Sequence, residues 1–214
     1  MTDLYLHERL YRGAEAIQKL AVINIVVCGG GAIGSLLTDN LVRQGVRHLT
    51  VIDHDRIEQH NVGTQLFAQS DAGAFKAEVL KAHCWRVAGV EITAVTKWLD
   101  ERTVQKFLRG AQLVADAFDN SASRRIVTEY CKAHNIACLH LGLNADYGEV
   151  RWNKSYRVPN DVLEGNACDY PLARNLILLV VAAGSESVMR YVVEERQEHY
   201  SVTLRDLKIN LETE

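Results

Sequence analysis

The chain has 214 residues, 48% of them hydrophobic and 24% charged, and its 24 basic and 27 acidic side chains give a formal net charge of -3. This composition is ordinary for a globular domain, and the length is enough for one large core. The near-neutral balance does not favour nucleic acid or an anionic membrane as a partner. We therefore predict a single domain over residues 1–214, with residues 1–20 as a helical lead-in.

Cysteine spacing and hydropathy indicate whether the chain has disulfides, a zinc site, a signal peptide or a membrane span. Five cysteines are present, and no two have Cys-x-x-Cys spacing, which argues against a disulfide framework or a four-cysteine zinc site. The N-terminal sequence MTDLYLHERLYRG is charged and amphipathic, unlike a signal peptide. The longest apolar run, residues 176–183, is far shorter than the roughly 20 residues that span a bilayer. We expect a cytoplasmic protein with no membrane partner.

Hydrophobic periodicity predicts alternating helices and strands along the chain. The helices are expected at residues 4–20, 32–43, 75–86, 101–108, 121–134 and 172–200. The strands are expected at residues 22–28, 48–55, 90–96, 111–118 and 136–144, with a hairpin arm at 148–158. This order predicts an α/β fold: a doubly wound, Rossmann-like, mostly parallel sheet with helices on both faces and an antiparallel C-terminal extension.

The segment GGGAIG lies between the first buried strand and the helix that follows it, and fits G-x-G-x-x-G through Gly29, Gly31 and Gly34. In such a turn the first glycine permits the tight bend and the second lets the backbone approach a phosphate. The third permits close packing of the helix on the strand. Ala32 and Ile33 would add backbone N–H donors at the positive end of the helix dipole.

An acidic residue supports a nucleotide at this turn. Asp53 follows the second predicted strand, 19 residues after Gly34, where a carboxylate can bind ribose hydroxyls. A glycine turn that serves packing alone is the alternative. The pattern up to this point predicts an adenosine nucleotide and does not distinguish NAD from ATP.

Polar residues that follow later strands favour ATP over NAD. The irregular stretch after the second strand and the start of the next helix carry Asp55, Asn61, Gln65 and Lys76. After the fourth strand come Asp119 and Asn120, with Arg124 about one helical turn later. Because the carboxyl ends of parallel strands share one edge, these residues are expected beside the glycine turn. A lysine and a carboxylate near phosphates favour Mg²⁺ and a stabilised pyrophosphate leaving group.

In serial order, the segments VVCGGGAIGS, VIDHDRIEQHNVGTQLF, GAFKAEVLKA, VTKWLDERTV, ADAFDNSASRR and HLGLNADYGEV resemble the ThiF/MoeB/HesA family, bacterial relatives of ubiquitin-activating enzymes. The resemblance implies ATP-dependent adenylation of the C-terminal carboxylate of a ubiquitin-like or sulfur-carrier protein ending in Gly-Gly, or of a peptide, by a homodimer. It also implies that the glycines hold the triphosphate and that Asp53 holds the ribose. Phosphate contacts would come from Asn61, Gln65 and Lys76, and Asp119 would bind Mg²⁺.

Three positions depart from the family pattern. The usual Asn-x-x-Arg-Gln appears here as NVGTQ, so Thr64 replaces an arginine that supplies a mobile cation to the phosphates. We expect Arg12 or Arg9, from this chain or a dimer mate, to substitute. The family's zinc-binding pairs would begin at Cys168, but Pro171 occupies the second position, so no zinc is expected. Cys168 is also a candidate thioester or persulfide nucleophile, with an incidental loop cysteine as the alternative.

Other interpretations stay open. The chain could be a non-catalytic nucleotide- or partner-binding subunit, which Thr64 favours. An NAD-dependent oxidoreductase would explain the glycines and Asp53, but not the polar residues that follow. Taken singly, Lys76 could be a solvated helix residue, Asp119 the N-cap of the following helix, and Asp55 a surface acid.

Overall fold

The computed structural model describes residues 3–159 and 171–212. The α-helices in this part of the chain are α1 (Leu6–Arg12), α2 (Ala14–Val22), α3 (Ala32–Arg43), α4 (Lys76–Ala88), α5 (Val104–Phe107), α6 (Ser121–Ala133) and α7 (Arg174–Glu194). The strands are β1 (Asn24–Cys28), β2 (His48–Ile52), β3 (Thr93–Val95), β4 (Leu113–Asp116), β5 (Ala137–Asn144), β6 (Tyr147–Trp152), β7 (His199–Thr203) and β8 (Lys208–Glu212).

All the strands belong to one sheet, in the order β3-β2-β1-β4-β5-β6-β7-β8. The first five in this order are parallel, and the last three are antiparallel to their neighbours. The predicted doubly wound α/β fold with an antiparallel C-terminal extension is confirmed. The chain leaves β1 towards β2 on one side and later returns to β4 on the other, so a topological switch point lies beyond the carboxyl ends of β1 and β4.

Helices cover both faces of the sheet because β1 has apolar residues on both. Ile25 and Val27 lie in one core cluster, together with apolar residues of α3, α4 and α7. Val26 and Cys28 lie in a second cluster with apolar residues of α5 and α6. A central parallel strand covered on both sides is uniformly apolar, as this one is.

The longest helix, α7, is a core helix of the domain. Its 21 residues are long and apolar enough by composition to cross a membrane, but 56% of its most apolar stretch is buried within the protein. Leu176, Ile177 and Val180 have no exposed surface and lie in the same cluster as the apolar residues of α3 and β1. Most residues of the apolar run 176–183 therefore belong to the core.

The chain differs from the sequence prediction at both ends. The helix expected over residues 172–200 stops at Glu194, because Glu195 adopts a left-handed conformation with φ of 60°. Residues 199–203 then form β7, and β8, which was not predicted, completes the sheet. The N-terminal lead-in is two helices instead of one, interrupted at Gly13 with φ of 90°. Of the hairpin arm predicted at residues 148–158, only residues 148–152 are in a strand, and that strand, β6, pairs antiparallel with β5.

The two edges of the sheet are unequal. At one edge, β3 has three residues, whereas β8 at the other edge has five. In β8, Ile209 and Leu211 are 45% and 57% exposed. Leu207, in the turn before β8, is also exposed.

Candidate functional site

The glycine turn joins β1 to α3 at the switch point, and two of its glycines are required by the fold. Gly29 has φ of 92°, and a Cβ there would lie 2.9 Å from the carbonyl oxygen of Ala117, just beyond β4. A Cβ on Gly34 would lie 1.8 Å from the carbonyl oxygen of Gly29, so α3 packs directly on the turn. A Cβ on Gly31 would meet no atom of the described residues within 4 Å. Gly31 therefore borders open space that a ligand can use.

Helix α3 directs its N-terminus into this open space. It begins at Ala32, after Gly31 as its N-cap, and is 12 residues long. The N–H groups of Ala32, Ile33 and Gly34 have no acceptor within the helix, because the first turn of any α-helix lacks one. Together with the helix dipole, they form a positive end suited to an anion.

Asp53, the residue after β2, stabilises the glycine turn through hydrogen bonds. One of its carboxylate oxygens accepts the N–H of Gly30 at 2.7 Å, and the other accepts the N–H of Asp55 at 2.8 Å. Burial raises the pKa of Asp53 above its ordinary value, although the charge of Lys76 and the two N–H donors oppose this shift. The structure thus brings Asp53 to the glycine turn, where the sequence predicted it.

Lys76 and Asp55 form an ion pair beside Asp53. The ammonium group of Lys76 lies 2.8 Å from a carboxylate oxygen of Asp55, and the backbone N–H of Lys76 donates to the Asp55 carbonyl at 3.0 Å. Lys76 is only 8% exposed, whereas the carboxylate of Asp55 is half exposed. Lys76 is therefore not a solvated helix residue, and Asp55 is a surface acid that holds it in place.

The polar loop, residues 53–75, connects β2 to α4 and packs on the first turn of α3. The N–H of Leu66 donates to Oγ of Ser35 at 3.2 Å. The side-chain oxygen of Asn61 accepts the N–H of Glu58 at 2.9 Å and so closes a 3₁₀ turn within the loop. Gln65 is 9% exposed, and its side-chain oxygen has no hydrogen-bond partner among the described residues. A buried acceptor without a partner costs about 1–3 kcal/mol, so a ligand donor would stabilise Gln65.

Asp119 and Asn120 lie in the turn between β4 and α6, and they have different tasks. Asn120 is the N-cap of α6, and its side-chain oxygen accepts the N–H of Ser123 at 2.8 Å. The idea that Asp119 is this N-cap is therefore wrong. Asp119 is exposed, and among the described residues its carboxylate has one weak hydrogen bond, 3.5 Å from the amide nitrogen of Asn120. The carboxylate of Asp119 is thus available to a cation, two residues beyond the Ala117 carbonyl that faces Gly29.

Sequence analysis missed a buried polar cluster beneath this turn. Asp116, at the end of β4, has no exposed surface and contacts Nδ1 of His140 at 2.8 Å and Nη1 of Arg124 at 3.8 Å. Arg124 donates to the hydroxyl of Tyr156 at 3.1 Å, and the Tyr156 ring stacks on His140. Nε2 of His140 lies 2.9 Å from the side-chain oxygen of Asn153.

Within this cluster, Arg124 and His140 stabilise the charged form of Asp116. Burial acts to raise the pKa of Asp116, but the charge of Arg124 and the hydrogen bond with His140 outweigh it, so the pKa lies below its ordinary value. The feature that could have revealed this cluster is the strand register of β4 and β5, because Asp116 and His140 are paired positions on these adjacent strands. The cluster fixes the turn that carries Asp119, because Asp116 also accepts the N–H of Phe118.

The predicted substitutes for an arginine at position 64 are engaged elsewhere in this chain. Arg12 donates to the carboxylates of Glu8 and Glu186, both at 2.7 Å, and Arg9 pairs with Asp3. Glu186 follows Ser185, which bonds to Asn40 far along α3 from the glycine turn. The contribution of either arginine from a second copy of the chain stays a prediction.

Of the five cysteines, the four within the described part of the chain are buried: Cys28, Cys84, Cys131 and Cys138. Burial raises the pKa of Cys28 and of Cys138, and it raises that of Cys84 to about 12. Buried thiols of this kind are unreactive. Cys168, the candidate nucleophile at the first zinc-type position, lies outside the described residues.

The fold and its carboxyl edge define a Rossmann-type α/β protein with a glycine turn at the switch point. The sequence model of the ThiF family matches residues 6–163, and the chain belongs to that family. It is 27% identical over 154 residues to SUMO-activating enzyme subunit 2 of Dictyostelium discoideum, covering 70% of this chain and 23% of that protein. It is also 27% identical over 157 residues to the sulfur carrier protein ThiS adenylyltransferase of Bacillus subtilis, covering 69% and 46%.

A solved structure supports the fold over the whole chain. E. coli MccB with ATP matches with a TM-score of 0.82 at 17% identity, covering 100% of this chain and 72% of MccB. The first curated relatives are longer, and the chain spans from 23% to 48% of their length. Adenylyltransferases and ubiquitin-activating-type enzymes are therefore the general kind of protein to which this chain is related.

Proposed function

We propose that this chain is an ATP-dependent adenylyltransferase that activates a C-terminal carboxylate and releases pyrophosphate. Its substrate class is a small ubiquitin-like or sulfur-carrier protein ending in Gly-Gly, or a peptide. The family membership and the names of the relatives support this general activity. MccB, which shares the fold, has also been solved together with MccA.

One observation carries the proposal: the carboxyl edge of the sheet brings a glycine turn, a lysine and two carboxylates together. Gly31 borders open space, Asp53 is hydrogen-bonded to Gly30, and Lys76 pairs with the residue whose N–H Asp53 accepts. Asp119 follows closely after Ala117, whose carbonyl faces Gly29. An NAD-dependent oxidoreductase would use the glycine turn and Asp53 to bind its cofactor, but its reaction does not require Lys76 or Asp119.

In the proposed reaction, a carboxylate oxygen of the substrate attacks the α-phosphorus of ATP. The bond from that phosphorus to the oxygen bridging to the β-phosphate breaks, giving an acyl adenylate and pyrophosphate. Phosphate oxygens accept the free N–H groups of Gly31, Ala32 and Ile33, and Lys76 turns from Asp55 to the charge on the leaving pyrophosphate. Asp53 accepts hydrogen bonds from the ribose, and Asn61 and Gln65 line the phosphate side.

Magnesium fits this site through Asp119. Mg²⁺ is bound in enzymes of this type by one or two carboxylates together with phosphate oxygens, and the carboxylate of Asp119 is exposed, with one weak hydrogen bond from the part of the chain that the structure describes. When bound there, the ion would neutralise phosphate charge. The N-cap role of Asn120 holds its neighbour Asp119 at the head of α6. We further propose that the enzyme acts in the cytoplasm as a homodimer.

ATP–pyrophosphate exchange tests the proposal directly. With Mg²⁺, the full chain and candidate carrier proteins or peptides, exchange should appear, should vanish in Asp119→Ala and should weaken in Lys76→Ala. Asp146→Ala is the matched control, because Asp146 is an exposed acid in the turn between β5 and β6. Exchange that survives in Asp119→Ala, or that falls equally in the control, contradicts the proposed role of Asp119.

A second function is favoured by one residue. Thr64 has no charge with which to bind phosphates, so the chain is alternatively a nucleotide- or partner-binding subunit that does not adenylate. ATP binding without exchange for any carboxylate would support this alternative. Tight NADH binding without ATP binding would contradict both functions.

A further inference from the structure

With ATP bound, the proposed site would carry more negative than positive charge, so another cation is expected there. Three carboxylates, those of Asp53, Asp55 and Asp119, lie at the carboxyl edge, and Lys76 is already paired with one of them. A triphosphate adds further negative charge. Lys76 and the proposed Mg²⁺ would supply three positive charges against three carboxylates and a triphosphate, and position 64 carries a threonine.

An arginine from a distant part of the sequence lies beside position 64. Arg174 is the first residue of α7, and its Nη1 donates to the carbonyl oxygen of Gly63 at 3.3 Å. Its side chain is exposed, and no carboxylate of the described residues forms an ion pair with it. Among the described residues, the guanidinium is therefore held by a long hydrogen bond to a neutral acceptor, which a phosphate can replace with a stronger, charge-assisted one.

The packing of α7 on α3 places Arg174 ahead of the phosphate-binding end of α3. Asn40 of α3 donates to Ser185 of α7 at 2.8 Å. Measured back from this contact at 1.5 Å per residue, α3 begins about 12 Å away and α7 about 16 Å away. Both beginnings border the polar loop, since Ser35 of α3 contacts Leu66 and Arg174 contacts Gly63. The N-terminus of α7 thus extends slightly beyond that of α3 on the same side.

We propose that Arg174 binds the β- and γ-phosphates of ATP and supplies the cation that position 64 lacks. Arginine suits this role because its planar guanidinium donates two parallel hydrogen bonds to a phosphate. Arg174 comes from α7 of the same chain, so a second subunit is not needed for this contact. The inference rests on the proposed ATP-dependent function and identifies one of its binding residues.

Calorimetric titration of the full chain with ATP and with AMP, both with Mg²⁺, tests the assignment. Arg174→Ala should weaken ATP binding about tenfold or more, which corresponds to 1.4 kcal/mol per factor of ten, and leave AMP binding unchanged. Arg174→Lys should bind ATP with an affinity between those of the unmodified chain and of Arg174→Ala. Adding Thr64→Arg to Arg174→Ala should restore ATP binding, because it returns a guanidinium to the same loop.

Arg205→Ala is the matched control. Arg205 is an exposed arginine in the turn between β7 and β8, four strand spacings or about 19 Å from β1 across the sheet. Unchanged ATP binding in Arg174→Ala, an equal loss of ATP and AMP binding, or failure of Thr64→Arg to restore ATP binding would overturn the assignment of Arg174. Absence of ATP binding in the unmodified chain would instead overturn the proposed function, and the Arg174 inference with it.

Discussion

Replacing Gly31 with alanine separates what the fold requires from what a bound nucleotide requires. The added methyl group meets no atom of the described residues within 4 Å, but the backbone of Gly31, with φ of -79° and ψ of -142°, lies outside the α and β regions that alanine prefers. Alanine is also a poorer N-cap than glycine, and a residue held in a sparsely populated backbone conformation costs of order 1–3 kcal/mol. We therefore expect the free energy of unfolding to fall by about 1–3 kcal/mol, with the fold retained.

The same methyl group would stand between the backbone and a phosphate. Charge-assisted hydrogen bonds contribute about 1.5–3 kcal/mol each, so pushing the phosphate away from one N–H group should weaken ATP binding by roughly a factor of ten or more. Chemical denaturation measures the first quantity, and nucleotide titration measures the second. A folded Gly31→Ala protein that binds ATP as tightly as the unmodified chain would refute the placement of the phosphates at this turn.

Gly34→Ala serves as the comparison, because its cost comes from a steric clash with the backbone. Its Cβ would lie 1.8 Å from the backbone oxygen of Gly29, and neither backbone segment can yield as a side chain can. The cost should reach or exceed the roughly 3 kcal/mol at the upper end for overpacked cores. A larger loss of stability in Gly34→Ala than in Gly31→Ala is the expected pattern.

Further predictions concern the buried cluster and the thiols. Asp116→Asn should lower the free energy of unfolding by about 3–5 kcal/mol near neutral pH, because it leaves Arg124 buried without its partner. The pKa of Asp116 is lower in the folded chain, so its stabilising effect is present above the ordinary carboxyl pKa of about 3.9 and is lost as the pH falls through the folded value. The stability difference between the two proteins should therefore shrink in acid, and a constant difference would contradict this account. In a thiol-reagent assay of the folded chain, four of the five cysteines should stay unreactive until denaturant is added, and fast reaction of any of these four would be contrary evidence: Cys28, Cys84, Cys131 and Cys138.

The first half of the fold was predictable because its signals are local. The bounds of α3 match the prediction at both ends, since three glycines precede the helix and a glycine follows it closely. The carboxyl-terminal part was not predictable in the same way. Glu195 ends α7 in a left-handed conformation that a glycine would have announced in the sequence. Without that signal, the residues of β7 were assigned to a continuing helix.

The site shows the same division between local and long-range information. Gly31, Asp53 and Lys76 were identified from spacing, because each follows a strand end or begins a helix. Asp116 and His140 are 24 residues apart, and only the strand register brings them together. Arg174 is still further from the polar loop, at a separation of 111 residues from Gly63. No periodicity or motif connects residues that meet through the packing of two helices.

The unequal sheet edges affect how the purified protein behaves. Outer backbone groups of an edge strand are free to pair with another chain, and exposed apolar side chains favour such pairing. At high concentration, strand addition at β8 should therefore precede any association through the three-residue edge at β3. A lysine in place of Ile209 would oppose this growth by charge repulsion and would lie far from the proposed nucleotide site beyond β1 and β4.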